Sequence, residues 1–244
     1  MTKKIPNTIK DITTGWCSGC GHGVIVRLLT EVIQELNLDE KIIIVMDVAC
    51  GAFIESTVTY NYLGAAHGRP IITAAGVKRV RKDDIVVAHA GDGSAYSIGT
   101  ESTIHVALRN ENILALIVNN CVFGMTGGQM SPTSIVGQQT TTSLKGRESG
   151  RNGFPFDVVK TLREFDIAYL ARGSVHNPRE IRKCKRMLTR AIKKQMSNEG
   201  FCLLEVMSPC PTNWGLSPID SIKFMQNELS NLYELGEFIG GEKS

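Results

Sequence analysis

Apolar runs that alternate with amphipathic stretches along this chain predict an α/β fold, a mostly parallel sheet with helices on both faces. Two observations carry that expectation. Short hydrophobic runs such as Ile42-Ile43-Ile44-Val45 and Leu114-Ala115-Leu116-Ile117-Val118 read as buried strands. Between them lie segments whose apolar residues recur at helical spacing. With 244 residues and 26.7 kDa, the chain is long enough to bury a real core, as one domain.

Taken in order, residues 22–36 read as a helix and 41–47 as a buried strand, and 48–69 is expected to be mostly loop. A helix follows over 70–81, a strand over 85–90, a helix over 95–110 and a strand over 113–118. Residues 121–154 form a long polar stretch rich in Gly, Thr, Ser and Gln. Loops of that length inside compact domains are usually functional or disordered. Residues 156–165 read as helix, 167–171 as extended, 177–198 as helix, 201–207 as extended and 219–232 as a closing helix.

Composition excludes some classes of function. A hydrophobic share of 42% and a charged share of 21% are ordinary for a globular protein. The net charge of +3 is too small to argue for nucleic acid. No apolar run reaches membrane-spanning length and the N-terminus lacks a secretory hydrophobic region, so a cytoplasmic protein with no membrane partner is expected. In that compartment the seven cysteines point to metal ligation or core packing rather than a disulfide framework. Cys121, Cys184 and Cys202 read as small core residues.

The most specific pattern is Gly91-Asp92-Gly93 followed by Asn119-Asn120, with 25 residues between the two halves. Each half ends a predicted strand, where open parallel sheets place their ligands. Magnesium favours hard oxygen ligands together with phosphate oxygens. The Asp92 carboxylate, the Asn120 amide oxygen and the Val122 carbonyl supply such a set. Gly91 and Gly93 leave room for backbone to approach phosphates, and amides at the start of the next helix favour an anion. The competing reading is a plain βαβ unit with a glycine turn and no ligand. The stretch from Gly91 to Asn120 resembles the thiamine diphosphate motif.

A second constellation is Trp16-Cys17-Ser18-Gly19-Cys20-Gly21-His22. Two thiolates two residues apart grip one metal centre. Zinc needs two more tetrahedral ligands, and a 4Fe–4S cluster needs four thiolates in all. Cys50 and Cys210 are the candidates to complete a set, since both fall in loops after predicted strands at the end of the sheet that carries Asp92. A zinc knob using His22, or a redox dithiol, is the plainer alternative.

Six stretches together carry a resemblance: WCSGCGH (16–22), AHGRP (66–70), GDGSAYSIGTE (91–101), LRNENI (108–113), NNCVFGMTGGQMSPT (119–133) and SPCPTNWG (208–215). With them the chain closely resembles the thiamine-binding, beta-type subunit of the 2-oxoacid:ferredoxin oxidoreductases. Within that family it is most similar to the subgroup acting on 2-oxoisovalerate or 2-oxoglutarate. The resemblance implies one thiamine diphosphate-binding domain over 1–244, with an N-terminal cysteine segment and a C-terminal extension.

It also implies an activity, oxidative decarboxylation of a 2-oxoacid to acyl-CoA and carbon dioxide, with electrons passed through a 4Fe–4S cluster to ferredoxin. On this reading Asp92, Asn120 and Val122 bind magnesium. Gly91, Gly93, Ser94, His67 and Arg69 surround the diphosphate. Gly127, Gly128 and Gln129 approach the thiazolium, and Cys17, Cys20, Cys50 and Cys210 hold the cluster. The glutamate that activates the aminopyrimidine is missing here and is expected on an alpha-type partner subunit, with a gamma-type subunit completing the heteromer. Three positions depart from the family pattern. Cys50 precedes a glycine instead of following one, Ser94 stands where the family often has an acid, and Phe123 where it often has tyrosine.

Other residues have plain readings. His22 is expected to support the cluster from behind, and His89 and His105 to be structural. Trp214 packs beside the cluster or in the core. The basic groups Lys78, Arg79, Arg81 and Lys82, and Arg182, Lys183, Lys185 and Arg186, read as solvated helix surface, with ferredoxin attraction as the sharper alternative for the first group. The competing functions are a non-redox thiamine-dependent 2-oxoacid decarboxylase, which has no use for four thiolates, and a zinc-stapled binding module, which leaves Asp92 and Asn120 unexplained.

Overall fold

The computed structural model describes residue 6, residues 8–10 and residues 13–241; the extreme ends of the expected 1–244 domain lie outside the described residues. Seven strands form one sheet: β1 (Ile42–Met46), β2 (Asn61–Gly64), β3 (Ile85–Gly91), β4 (Leu114–Asn119), β5 (Tyr169–Ser174), β6 (Cys202–Met207) and β7 (Gly236–Ile239), in the order β2-β1-β3-β4-β6-β5-β7. All neighbours are parallel except β7, which runs antiparallel to β5.

Alternation along the strands builds two cores. In β4, Leu114, Leu116 and Val118 face one side while Ala115 and Ile117 face the other. The first side packs against the helices His22–Glu35 and Pro178–Met196 through Ile25, Leu29, Leu188 and Ile192. The second packs against Pro70–Val80, Thr100–Leu108 and Val158–Leu162 through Ile71, Ala74, Val106 and Leu162. Local signals start the helices where they begin. Pro178 occupies the first turn, and the Asn177 side chain accepts from the Glu180 N–H at 2.9 Å, capping a 19-residue helix.

The chain passes from β1 to β2 on one side and returns to β3 on the other. Loops leaving the carboxyl ends of β1 and β3 therefore diverge and open a crevice, the usual ligand position in such sheets.

The element bounds differ from expectation where apolar pattern is weak. Residues 48–69 contain a helical stretch, Cys50–Phe53 with Ile54–Thr57, and the edge strand β2. The four residues of β2 are all exposed, so no buried alternation marks them. Instead of one helix over 95–110, a π-turn Ser94–Ile98 precedes Thr100–Leu108, closed by the Gly99 N–H on the Ser94 carbonyl at 2.9 Å. The closing helix is likewise interrupted by a π-stretch, Met225–Leu229. Strand β5 starts at Tyr169 and runs to Ser174, later than the expected 167–171. Residues 236–239 join the sheet as β7, which no sequence signal indicated.

Candidate functional site

Loops from the carboxyl ends of β1, β3 and β4 enclose a cavity of about 290 Å³. Its wall contains Gly91, Asp92, Gly93 and Ser94 after β3, Asn120, Val122, Phe123 and Gly124 after β4, Val48 to Gly51 after β1, and His22 and His67. Asp92 is fully buried, and burial pushes its carboxyl up to about 6 against hydrogen bonds that favour the charged form. Those bonds come from Thr133 and Ser131, both on Oδ2, the latter at 2.7 Å. Oδ1 receives one long contact, from the Asn120 N–H at 3.4 Å. The Asn120 amide oxygen similarly accepts a long bond from the Val122 N–H, at 3.3 Å. Two under-used oxygen acceptors thus stand on the cavity wall. A Cβ on Gly91 would meet nothing nearer than the Val118 carbonyl at 4.0 Å, so the glycine leaves open space there. Oxygen donors beside an open glycine cradle fit magnesium and a diphosphate.

The β4 turn is held from below. Cys121 has φ +56°, and its N–H donates to Asn119 Oδ1 at 3.0 Å. The Asn119 amide in turn donates to Glu205 Oε1 at 3.0 Å. Glu205 pairs with Arg172, and Arg172 also reaches Asp157 at 2.6 Å. Arg172 and Glu205 are each about 1% exposed. Asn119 is therefore a support of the turn, while Asn120 faces the cavity.

On the β1 side, the Gly68 N–H donates to Asp47 Oδ1 at 3.2 Å and to Ser94 Oγ at 3.1 Å. His67 Nδ1 lies 3.3 Å from Asp47 Oδ2, close enough for an ion pair but not aligned as a hydrogen bond. A Cβ on Gly68 would sit 2.1 Å from Ile98 Cγ2, and one on Gly93 2.5 Å from the Phe123 ring. Both glycines are required by close packing of the loops.

A second cavity, of about 360 Å³, is lined by Cys17, Cys20, Cys50 and Cys210 together with Trp16, Gly127 and Asn213. The two cavities share Cys50, Asn120, Gly124 and Met125 as a common wall. Burial pushes the Cys20 thiol up to about 12 and the Cys50 thiol up to about 11, with the neighbouring cysteines adding to both shifts. Among the described residues no three His, Cys, Asp or Glu side chains come close enough to hold a single metal ion. Four cysteines lining one cavity are the thiolate set that a 4Fe–4S cluster takes. Trp16 donates to the Cys50 carbonyl at 2.8 Å, and Cys20 Sγ lies 3.2 Å from His22 Nδ1.

A model of the thiamine pyrophosphate enzymes, describing their C-terminal TPP binding domain, matches residues 48–206. The chain belongs to the thiamine pyrophosphate enzymes. Its relatives place it among the 2-oxoacid:ferredoxin oxidoreductase subunits. It is 33% identical to the ketoisovalerate oxidoreductase subunit VorA of Methanothermobacter thermautotrophicus, over 98% of this chain and 53% of that protein. It is 34% identical to the 2-oxoglutarate synthase subunit KorB of Methanocaldococcus jannaschii, over 93% of this chain and 88% of that one. The chain therefore spans about half the length of the VorA relatives and most of KorB. Its fold matches a solved 2-oxoglutarate:ferredoxin oxidoreductase from Magnetococcus marinus, with TM-score 0.83 at 24% identity, over 100% of this chain and 87% of that one.

As a thiamine pyrophosphate enzyme the chain brings together Gly91, Asp92, Gly93, Ser94, Asn120, Val122 and His67 on one cavity. Arg69 is elsewhere. Its guanidinium is tied to the Ile98 carbonyl at 3.1 Å and to Glu101 at 3.0 Å on the exposed surface. Residues 127–129 are not among those lining the Asp92 cavity. Gly127 lines the cysteine cavity, and Gly128 packs on Asn213. Gln129 bonds back to the Thr126 carbonyl at 2.9 Å. Lys78 is buried at its helix end on the Lys82 and Asp84 carbonyls, while Arg79 pairs with Glu111 and Arg81 with Asp84. Sequence reasoning missed Ser131 and Thr133, whose hydroxyls hide in a Ser/Thr-rich loop. It also missed Arg172 and Glu205, although two charges inside apolar strands were a usable signal.

Proposed function

We propose that this chain is the thiamine diphosphate- and 4Fe–4S-binding subunit of a 2-oxoacid:ferredoxin oxidoreductase, which turns a 2-oxoacid and coenzyme A into acyl-CoA and carbon dioxide. The observation that carries the reading is the wall shared by the Asp92 cavity and the four-cysteine cavity. Thiamine diphosphate, when bound, supplies the electron sink that lets a 2-oxoacid lose carbon dioxide. Asp92, Asn120 and the Val122 carbonyl would hold Mg2+, with Ser131 and Thr133 fixing the Asp92 carboxylate. Gly91, Gly93 and Ser94 leave space for the diphosphate, and His67, beside Asp47, faces the same cavity.

Cys17, Cys20, Cys50 and Cys210 would hold the cluster. An electron leaving the first cavity then meets the second without crossing the core. A non-redox decarboxylase would have no use for that second cavity. The activating glutamate, much of the substrate pocket and the ferredoxin contact would come with alpha-type and gamma-type partner subunits. All seven cysteines are unpaired, which suits the reducing cytoplasm. Among the described residues no helix is long and apolar enough to cross a membrane.

The test is electron paramagnetic resonance on anaerobically purified, dithionite-reduced protein co-expressed with its partners, compared with the Cys17→Ser variant. Loss of one 4Fe–4S signal in the variant supports the reading. Identical spectra, with zinc or no metal at these cysteines, would sink it.

A further inference from the structure

The segment Cys210-Pro211-Thr212-Asn213-Trp214 touches both cavities through two side-chain donors. Asn213 uses both hydrogens of its amide. Nδ2 donates to the Gly124 carbonyl at 3.0 Å and to Cys210 Sγ at 3.3 Å. The carbonyl contact fixes which end of the amide is nitrogen, because only N–H can face that oxygen. Trp214 Nε1 donates to the Asn120 carbonyl at 3.0 Å. Gly128, at φ +81°, leaves the room Asn213 needs. A Cβ there would lie 3.1 Å from Asn213 Oδ1. Gly124 fits between the two cavities, since a Cβ on it would lie 3.4 Å from Cys50 Sγ and from the Asn120 amide.

Cys210 is 7% exposed, so little water reaches its sulfur. A buried sulfur that carries charge needs a protein donor in place of water. Hydrogen bonds to ligating sulfurs raise the potential of iron–sulfur centres by stabilising the more negative, reduced state. Resting on the cluster reading above, we propose that Asn213 tunes the reduction potential of the centre held by Cys210, while its second hydrogen bond fixes the Gly124 backbone beside the thiamine cavity. Reduction by one electron adds one negative charge shared with the four thiolates. No bond is made or broken and no proton moves. The electron comes from the decarboxylated 2-oxoacid and leaves to ferredoxin. The Asn213 N–H is aimed at the sulfur that takes part of that charge.

The test uses the assembled enzyme with Asn213→Ala and Asn213→Asp. The aspartate keeps the side-chain shape without a donor at neutral pH, and covers the case in which the alanine variant fails to assemble. The centre belonging to this chain is identified as the signal lost in Cys17→Ser. Its midpoint potential is read by titration under paramagnetic resonance, and pulsed spectra in D2O report exchangeable deuterons near the iron. The expected result is a tenfold shift of the one-electron equilibrium in Asn213→Ala, about 60 mV downward, with loss of one deuteron coupling. Asn213→Asp falls further because it adds negative charge. Unchanged potentials and unchanged couplings in both variants overturn the inference while leaving the cluster reading intact. A wild type with no signal removable by Cys17→Ser overturns the cluster reading, and the inference with it.

Discussion

Removing the Arg172 guanidinium should cost more than any surface ion pair in this chain. Arg172 is about 1% exposed and serves four groups at once. Nε meets Glu205, the second amine meets Asp157 at 2.6 Å, and the third nitrogen meets the Glu234 carbonyl at 3.3 Å. The Tyr233 ring lies 5.0 Å beneath the guanidinium. Arg172→Met leaves Glu205 buried without a counter-charge, a change that costs about 3–5 kcal/mol. Glu205→Gln costs less, about 1.5–3 kcal/mol for one charged hydrogen bond, because Arg172 keeps Asp157. The double variant should fall short of the sum by about 1–3 kcal/mol, as expected for directly coupled partners. Urea unfolding followed by circular dichroism gives all three values, provided the slope with denaturant is constant. A loss below about 1 kcal/mol for Arg172→Met, outside the range for a broken buried pair, would refute the reasoning. Strict additivity would do the same.

Three further outcomes can be checked. Asp92→Ala should abolish the thermal shift that Mg2+ and thiamine diphosphate give the wild type, about 2.7 kcal/mol of added stability at a ligand concentration 100 times Kd; an undiminished shift would remove Asp92 from the site. His89 is fully buried and burial lowers its ring to about 4 from 6.5. Its native form thus binds fewer protons than the unfolded chain, so its contribution is intact above pH 6.5 and is lost as pH falls towards 4, about 3 kcal/mol in all. His89→Leu should flatten the wild-type decline over that window, and identical slopes in urea titrations would exclude it. Gly93→Ala places a Cβ 2.5 Å from the Phe123 ring. It should destabilise by about 1–3 kcal/mol, with recovery in the Gly93→Ala/Phe123→Leu double variant; no recovery would mean the strain lies elsewhere.

What could be read from sequence follows from what each element buries. Strands β1, β3, β4 and β6 are buried on both faces, so their apolar runs announce them. The edge strand β2 buries nothing and β7 is half-buried over four residues, so neither carries a periodic signal. The π-turn at Ser94–Ile98 was invisible because it uses residues that suit an α-helix equally well. Its end is packed tightly, since a Cβ on Gly99 would sit 2.5 Å from the Gly68 carbonyl oxygen and 2.6 Å from that of Ser94. Asp92 and Asn120 were legible because they end strands whose register places those ends together. Ser131 and Thr133 were not, since a hydroxyl becomes a carboxylate anchor only when a loop folds back across 39 and 41 positions of sequence to meet it.

The same logic explains why four cysteines from three distant segments meet. Cys50 follows β1 and Cys210 follows β6, and parallel strands deliver both loops to one end of the sheet. The pair Cys17 and Cys20 precedes the helix His22–Glu35, whose start lies at that end because the helix returns the chain to β1. Topology therefore fixes the neighbourhood, and side chains fix the contact. Asn213 and Trp214 bond the cysteine loop to Gly124 and Asn120, and Trp16 bonds the N-terminal segment to Cys50. A displacement of the Cys210 loop then moves the Asn120 turn as well. The two cavities share backbone as well as a wall, and each constrains the geometry of the other.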